Sequence, residues 1–380
     1  MPNFLKFILI ALLLVTSLAL SFGAGCTLND NTSTNLDPEL ENIAEAWDLI
    51  LNNYVDRDNF DTSALSQAAI EGMLEALDDP YSTYLNAEDY QMSLSNLQGK
   101  FEGIGAYVGI EDEQIIIIAP IMDSPAAKAG IKAGDIIQEI NGETTSGLSI
   151  QEAVLHIRGP KGTTVRLLIL HQNESDPVEI EIIRAEIEVP SIYFEMIEDL
   201  AYINITHFAE HTSEELSPVL KSLDQEAAAG IILDLRSNPG GFLHTVIDVT
   251  SHFIDKGIIV DVVDNEGNHT TSEVNSKIDT TDLPMVILVD NYSASASEIL
   301  TGALQDHNRA TIAGTTTYGK GSVNVFYELK DGSGLYLTTA RWLTPNGRPI
   351  EGVGIEPDYI LNLETEDAIQ WAIDYLQNKE

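Results

Sequence analysis

The chain has 380 residues, enough for two or three domains with a sizeable core, and its 44% hydrophobic and 7% aromatic content is that of ordinary globular material. The charge is not ordinary: 19 Lys+Arg against 60 Asp+Glu leave a formal net charge of -41. Nucleic acid and anionic membrane surfaces would both repel such a chain, which argues against either as a partner of its folded body.

The first segment differs from the rest. After Lys6 runs FILIALLLVTSLALSFGAG, about 19 residues without a charge, long enough to cross a hydrocarbon core. A positive amino end followed by an apolar run reads as an export segment over residues 1–26, either a cleaved signal peptide or a retained anchor. The sole cysteine, Cys26, stands at its outer end, where a lipoprotein would carry its lipid; the plainer reading is a thiol at the end of an anchor. One cysteine allows no internal disulfide, so the folded parts must rest on core packing. Residues 27–37, TLNDNTSTNLD, are polar and read as a tether.

Helical periodicity marks residues 38–98. ELENIAEAWDLILNNYV puts Ile43, Trp47, Ile50, Leu51 and Tyr54 on one stripe of packing residues, and SALSQAAIEGMLEALDD repeats the pattern until Asp78, Asp79 and Pro80 stop it. Over residues 99–188 the texture turns to short strands, glycine turns and two helices, SPAAKAG capped by Ser124 and SIQEAVLHIRG, a size that suits a separate module. Asn141 and Gly142 mark a hairpin there. Gly103, Ile104 and Gly105 allow successive amides to converge into a nest suited to a carboxylate. From residue 189 the chain becomes α/β: AYINITHF, GIILDLR, PMVILVD and RATIAG are apolar strands separated by helical stretches, which implies a sheet covered on both faces. Residues 364–380 form a closing helix whose stripe of Ile369, Ala372, Ile373 and Leu376 could either dimerise or pack on its own core.

Four motifs invite a chemical reading. GTTTYGKGS (residues 314–322) starts like a phosphate-cradling loop, but Gly321 stands where magnesium needs Ser or Thr, and the following residues alternate as a hairpin. His207, Glu210 and His211 match a zinc-peptidase spacing that requires a helix, yet His207 ends an apparent strand and no third ligand is evident. NYSASASEILTGALQDH places Ser293, Ser295 and Ser297 at a corner between a strand and a helix, more serine than one helix cap needs. A serine nucleophile needs a base, and a lysine desolvated between glycines, as Lys320 would be between Gly319 and Gly321, can serve. DLRSNPGGFLHTVIDV supplies glycine amides at a helix start for an oxyanion hole.

Together these segments resemble the bacterial carboxyl-terminal processing peptidases, or tail-specific proteases. The resemblance covers nearly everything after the tether and rests on FEGIG, SPAAKAGIKAGDIIQEING, HIRGPKGT, DLRSNPGG, SASASEI, YGKGS and GVGIEPD in the family's order. It implies an α/β, multidomain chain: an N-terminal helical region, a PDZ domain at 99–188 and a crotonase/ClpP-like serine peptidase core at 189–363. Carried over by motif, Ser295 becomes the nucleophile and Lys320 the general base, with Ala296 and Gly240 or Gly241 forming the oxyanion hole. Asp306 corresponds to an acid near the family's site. Asn324 stands where the family has a glutamine that orients the lysine, one methylene short. Phe101, Gly103, Ile104 and Gly105 would bind a substrate's C-terminus, and Arg158 would either link peptide occupancy to the catalytic site or cap its own helix.

The resemblance implies a membrane-tethered or lipoprotein endopeptidase outside the cytoplasmic membrane, acting on tails of unfolded or partly folded proteins, with no cofactor, metal or nucleic acid. A homodimer is one use of its terminal helices. A PDZ scaffold with a vestigial core and an acyl-CoA enzyme of crotonase-like architecture are the competing readings.

Overall fold

The structure, a computed structural model, describes residues 37–56, 61–111, 114–172 and 174–378. The export segment, Cys26 and the tether up to residue 36 lie outside the described residues, among which no helix is long and apolar enough to cross a membrane. The chain divides into two compact units, residues 1–69 and 70–380.

The first unit contains α1 (Pro38–Asn53) and the start of α2 (Thr62–Glu75). Asp37 caps α1 by accepting the Glu39 N–H, and Pro38 opens it with a preset φ. The expected stripe is present but only partly covered among the described residues: Ile43 is 46% and Ile50 42% exposed, Trp47 and Leu51 are half-buried, and α1 fully buries no residue. Periodicity identified the apolar face but carries no information on what covers it.

In the second unit, α2 ends, and β1 (Thr83–Leu85) and α3 (Ala87–Gln98) follow. Asn86 caps α3 by accepting the Asp89 N–H, and Gly99 ends it at φ 70°, a left-handed position that suits glycine. The next strands are β2 (Lys100–Gly103), β3 (Ala106–Glu111) and β4 (Gln114–Pro120), then α4 (Pro125–Lys128). β5 (Ile136–Ile140), β6 (Glu143–Thr144), α5 (Ile150–Ile157), β7 (Thr164–Leu170), β8 (Val178–Ile183) and β9 (Ala185–Glu188) complete the module. Its antiparallel sheet has the order β3-β4-β5-β7-β8 with β6 beside β5, while β2 pairs with β9. Ile117, Ile137, Ala153, Val165, Leu167 and Ile169 are fully buried between sheet and helices, each large aliphatic chain contributing about 1.5–3 kcal/mol. The Val189 N–H donates to the Gly99 carbonyl, so the chain enters and leaves the module side by side.

The remaining elements are β10 (Ile192–Ile197), β11 (Leu200–Ile205), α6 (Thr212–Glu226), β12 (Gly230–Asp234), α7 (Leu243–Ser251), β13 (Ile258–Asp264) and β14 (His269–Glu273). They continue as β15 (Met285–Val289), α8 (Ala296–Asp306), β16 (Thr311–Gly314), β17 (Ser322–Glu328), β18 (Gly334–Leu343), β19 (Tyr359–Ile360) and α9 (Ala368–Gln377). One sheet runs β10-β11-β12-β15-β16-β19, parallel except for its first pair. Every residue of β12 and β15 is buried, as a doubly covered sheet requires. Residues of α6, α7 and α8 share the core on one face with Trp342 and Val260 of a second sheet. On the other face Ala368, Ala372 and Ile373 of α9 pack against Ile232, Val286 and Leu288, so the closing helix spends this stripe on its own sheet. The second sheet runs β1-β18-β13-β14 with β17 on β18. β1, inside the region expected to be helical, pairs with β18, Thr83 opposite Tyr336.

Candidate active site

β15 delivers the chain into the turn that opens α8. Its three serines part company there. Ser293 Oγ donates to the Leu235 carbonyl and accepts the Asp290 N–H, and Ser297 Oγ donates to the Asn238 carbonyl; both are fully buried. Only Ser295 lines the cleft. Its φ of 54° and ψ of -111° are unfavourable for a residue with a Cβ, a strain of order 1–3 kcal/mol that aims the side chain outward from the helix start.

The DLRSNPGG turn lies against this corner. Asn238, fully buried, donates to the Ile205 carbonyl and accepts the Gly240 N–H at 2.9 Å. A Cβ on Gly240 would stand 2.7 Å from the Ala294 carbonyl oxygen, and one on Gly241 2.2 Å from that of Phe208. Gly240 is therefore needed for close approach, and its amide is occupied. The N–H groups of Gly241 and Ala296 have no acceptor among the described residues, and these two amides are the ones available to a developing oxyanion.

Lys320 comes from the turn before β17 and lines the same cleft. Burial holds its ammonium below the ordinary lysine range, against the opposing pull of Glu351, Asp79 and Glu298. No hydrogen bond joins Ser295 Oγ to Lys320 Nζ among the described residues. The lysine head instead lies over the rings of Tyr81 and Tyr336, at 5.3 and 5.4 Å from their centroids.

Sequence reasoning missed Glu298. Its carboxylate, fully buried, accepts four hydrogen bonds: from Thr317 Oγ1 at 2.6 Å and the Gly319 N–H at 2.7 Å on one oxygen, from the Ser295 N–H at 2.8 Å and the Lys320 N–H at 2.9 Å on the other. One side chain thus ties the Ser295 corner to the Lys320 turn. Burial pushes its pKa up while the four donors oppose that rise. The available signal was Glu three residues after a helix-opening Ser, the capping-box spacing.

Asn324 is not brought to Lys320. Its side chain accepts from Ser322 Oγ and donates to Thr338 Oγ1 at 2.9 Å and to the Tyr81 carbonyl at 3.4 Å, after a register shift between Val323 and Asn324. Asp306, at the far end of α8, pairs with Arg348 and accepts the Asn346 N–H, a contact that anchors a turn. In HFAEH, His207 follows β11 and His211 precedes α6, so the pair shares no helix. Among the described residues no three His, Cys, Asp or Glu side chains are grouped to hold a metal ion.

In the module, the amides of Ile104 and Gly105 have no acceptor among the described residues, and Gly105, at φ 75°, leaves no room for a side chain beside Ser124. The Arg158 guanidinium lies 4.6 Å from the Phe101 ring centroid and donates to Asn96 of α3 at 3.4 Å. A cleft of about 720 Å³ runs from Phe101, Ile104 and Gly105, past His207, to Gly241, Ser295 and Lys320. A second hollow of about 300 Å³ opens beside Ser295, walled by Leu94, Leu97, Leu243, Ile299 and Phe326. A chain held by the module's amides could therefore reach the serine without leaving one depression.

Three family models match the chain: an activating protease CtpB N-terminal domain over residues 23–89, a PDZ domain over 93–170 and peptidase family S41 over 199–361. The chain is 38% identical over 329 residues to the carboxy-terminal processing protease CtpB of Bacillus subtilis, covering 84% of this chain and 67% of that protein. It is also 38% identical over 340 residues to a carboxy-terminal-processing protease of Bartonella bacilliformis, covering 88% and 78%. Among solved structures, a photosystem II D1 C-terminal processing protease superposes with a TM-score of 0.53 at 26% identity, over 89% of this chain and 97% of that one. The chain belongs to the carboxy-terminal processing proteases of peptidase family S41, serine peptidases that carry a PDZ domain.

Proposed function

We propose that the protein is an exported endopeptidase, tethered to the outer face of the cytoplasmic membrane by its first segment, that captures free C-termini of unfolded proteins and cleaves them by Ser-Lys acyl transfer. Its parts are a helical region at 38–98, a PDZ domain at 99–188, a peptidase core at 189–363 and a closing helix at 364–380. The observation that carries this reading is the shared cleft, with unsatisfied amides of Ile104 and Gly105 at one end and Ser295 beside Lys320 at the other. The uncharged run after Lys6 supports export.

In this mechanism Lys320, whose neutral form is favoured by burial, takes the proton of Ser295 as Oγ bonds to the substrate carbonyl carbon. The carbonyl oxygen becomes an oxyanion held by the Gly241 and Ala296 amides. As the carbonyl reforms, the C–N bond breaks and the Lys320 ammonium returns a proton to the leaving amine. Water then enters: its oxygen bonds to the acyl carbon as Lys320 takes its proton, and when the C–Oγ bond breaks the Lys320 ammonium returns that proton to Ser295 Oγ, releasing the acid and restoring both groups. Arg158, stacked on Phe101 and bonded to Asn96, is placed to couple peptide binding in the module to α3 beside the cleft.

The test uses an unfolded protein with a free C-terminus and the same protein amidated there, each with and without chelator. Expected is cleavage that survives the chelator, prefers the free terminus, and disappears in Ser295→Ala and in Lys320→Ala. Full activity in Lys320→Ala removes the dyad; peptide binding without cleavage by the unmutated protein makes it a scaffold.

A further inference from the structure

The surroundings of Lys320 Nζ contain carboxylates that are all engaged elsewhere. Glu351 pairs with Arg341 at 3.0 Å, Asp79 accepts from Ser82 Oγ and the Tyr81 N–H, and Glu298 is filled by four donors. Among the described residues none of them bonds Nζ. What faces it is a pair of rings, Tyr81 from the loop before β1 and Tyr336 from β18. Neither ring stands alone. Phe326 lies 4.5 Å from Tyr336, centroid to centroid, with Tyr90 edge-on at 5.8 Å, and the Tyr81 loop is pinned by Asn324 to its carbonyl and by the Thr338 N–H to Ser82 Oγ.

We propose that Tyr81 and Tyr336 are positioning residues that clamp the ammonium form of Lys320 between their faces, stabilising the charge the lysine acquires when it takes the Ser295 proton. This rests on the reading of Lys320 as the base. A ring quadrupole attracts a cation without the permanent charge of a carboxylate. An ion pair would strongly favour the ammonium and leave little neutral amine; a wholly apolar pocket would give the ammonium no partner. Two ring faces provide an intermediate environment, in which Lys320 can accept a proton and release it. Burial pushes the phenols of both tyrosines up, so the rings remain neutral where lysine works. Glu351, Asp79 and Glu298 add a background attraction for the ammonium, Arg341 is held by Glu351, and Tyr318 stands two residues before Lys320 on the turn.

The clamp predicts the direction of a titration. In a Ser295→Ala background, the full chain is labelled with acetic anhydride across a pH series, and acetylation of Lys320 is read by peptide mass spectrometry. Tyr336→Leu and Tyr81→Leu are expected to move the labelling midpoint down by about 0.5 to 1 pH unit, because each removes a partner of the cation. Tyr336→Phe keeps the ring and should leave the midpoint in place. A trifluorinated phenylalanine at position 336, the same shape with a weakened quadrupole, should lower it even if the leucine variant does not fold. In the active enzyme, the rising limb of kcat/KM against pH should move down with the labelling midpoint in Tyr336→Leu. A midpoint that rises or stays put in the leucine and fluorinated variants overturns the clamp, since a plain apolar cover would admit water when trimmed and favour the ammonium. The base reading is judged separately by Lys320→Ala: retained activity there removes the role in proton transfer, whatever the labelling shows.

Discussion

Replacing Glu298 by glutamine tests whether the site is held together from beneath. The side chain keeps its shape but exchanges one accepting oxygen for an NH2 group, and all four donors now meeting the carboxylate cannot be satisfied. If the amide nitrogen faces Thr317 and Gly319, the Thr317 hydroxyl can rotate to accept, but the Gly319 N–H is left opposite another donor. If it faces the other way, the Ser295 and Lys320 amides both lose their acceptor. An orphaned buried N–H costs about 1–3 kcal/mol, and each 1.4 kcal/mol is about a factor of ten in rate if it falls on the active arrangement. The expected result is kcat lower by about tenfold to a hundredfold, with KM little changed, because Glu298 does not line the cleft. Stability should move much less. A carboxyl whose folded pKa is raised binds its proton more readily in the native state, so ionised Glu298 costs stability at neutral pH, and that cost fades as pH falls through the folded pKa towards the ordinary value. Glutamine removes that cost while adding the orphaned donor, and the two oppose in Tm but not in kcat. Steady-state kinetics on an unfolded substrate, beside a thermal melt, decides the matter. An unchanged kcat refutes the argument; so does a loss of activity explained wholly by unfolding at the assay temperature.

Lys320→Met should abolish cleavage and raise Tm at neutral pH: a lysine with a lowered folded pKa binds fewer protons in the native than in the unfolded state, so its cost is full below the folded pKa and fades towards 10.5, and the gain seen in melts should shrink over that window. Gly241→Ala should cost roughly a hundredfold or more in kcat, because the added Cβ collides with the Phe208 carbonyl and displaces an oxyanion donor; activity within a few-fold of the parent would contradict that placement. The hollow beside Ser295, of about 300 Å³ with leucine, isoleucine and phenylalanine walls, should favour a medium-sized apolar residue on the acyl side of the cut. In a peptide series varied only there, lysine is expected to lower kcat/KM at least about a hundredfold against leucine, since its buried charge would meet Lys320 and find no partner.

Much of this arrangement was written in local pattern. The strands β12 and β15 appear as continuous apolar runs, the Asn141-Gly142 hairpin as a turn whose two residues take φ of 53° and 85°, and the two cleft-facing turns as Gly- and Ser-rich breaks between a strand and a helix. What local pattern could not reveal were relations across the chain. Three serines alternate with alanine, and only packing separates Ser295 from the buried pair. Gly240 and Gly241 look alike in sequence, yet the Asn238 side chain occupies one amide and leaves the other open. Glu298 looks like a cap residue because three of the four groups it holds lie 19 to 22 positions away. Asn324, one methylene short of the glutamine the family has there, bonds its own neighbours after a register shift that alternation cannot forecast. The α1 stripe was legible as apolar and not as exposed, for the same reason.

The pairing of β1 with β18 makes the order of synthesis matter. Ser82 meets the Thr338 amide across 256 residues of chain, and the serine corner and the lysine turn are both made in between. A ribosome works from the amino end, so the early strand must wait, edge exposed, until the late hairpin emerges. Only then can Tyr81 close over Lys320. The site therefore cannot close when the serine corner is made, nor when the lysine turn is made, but only once β18 has followed them.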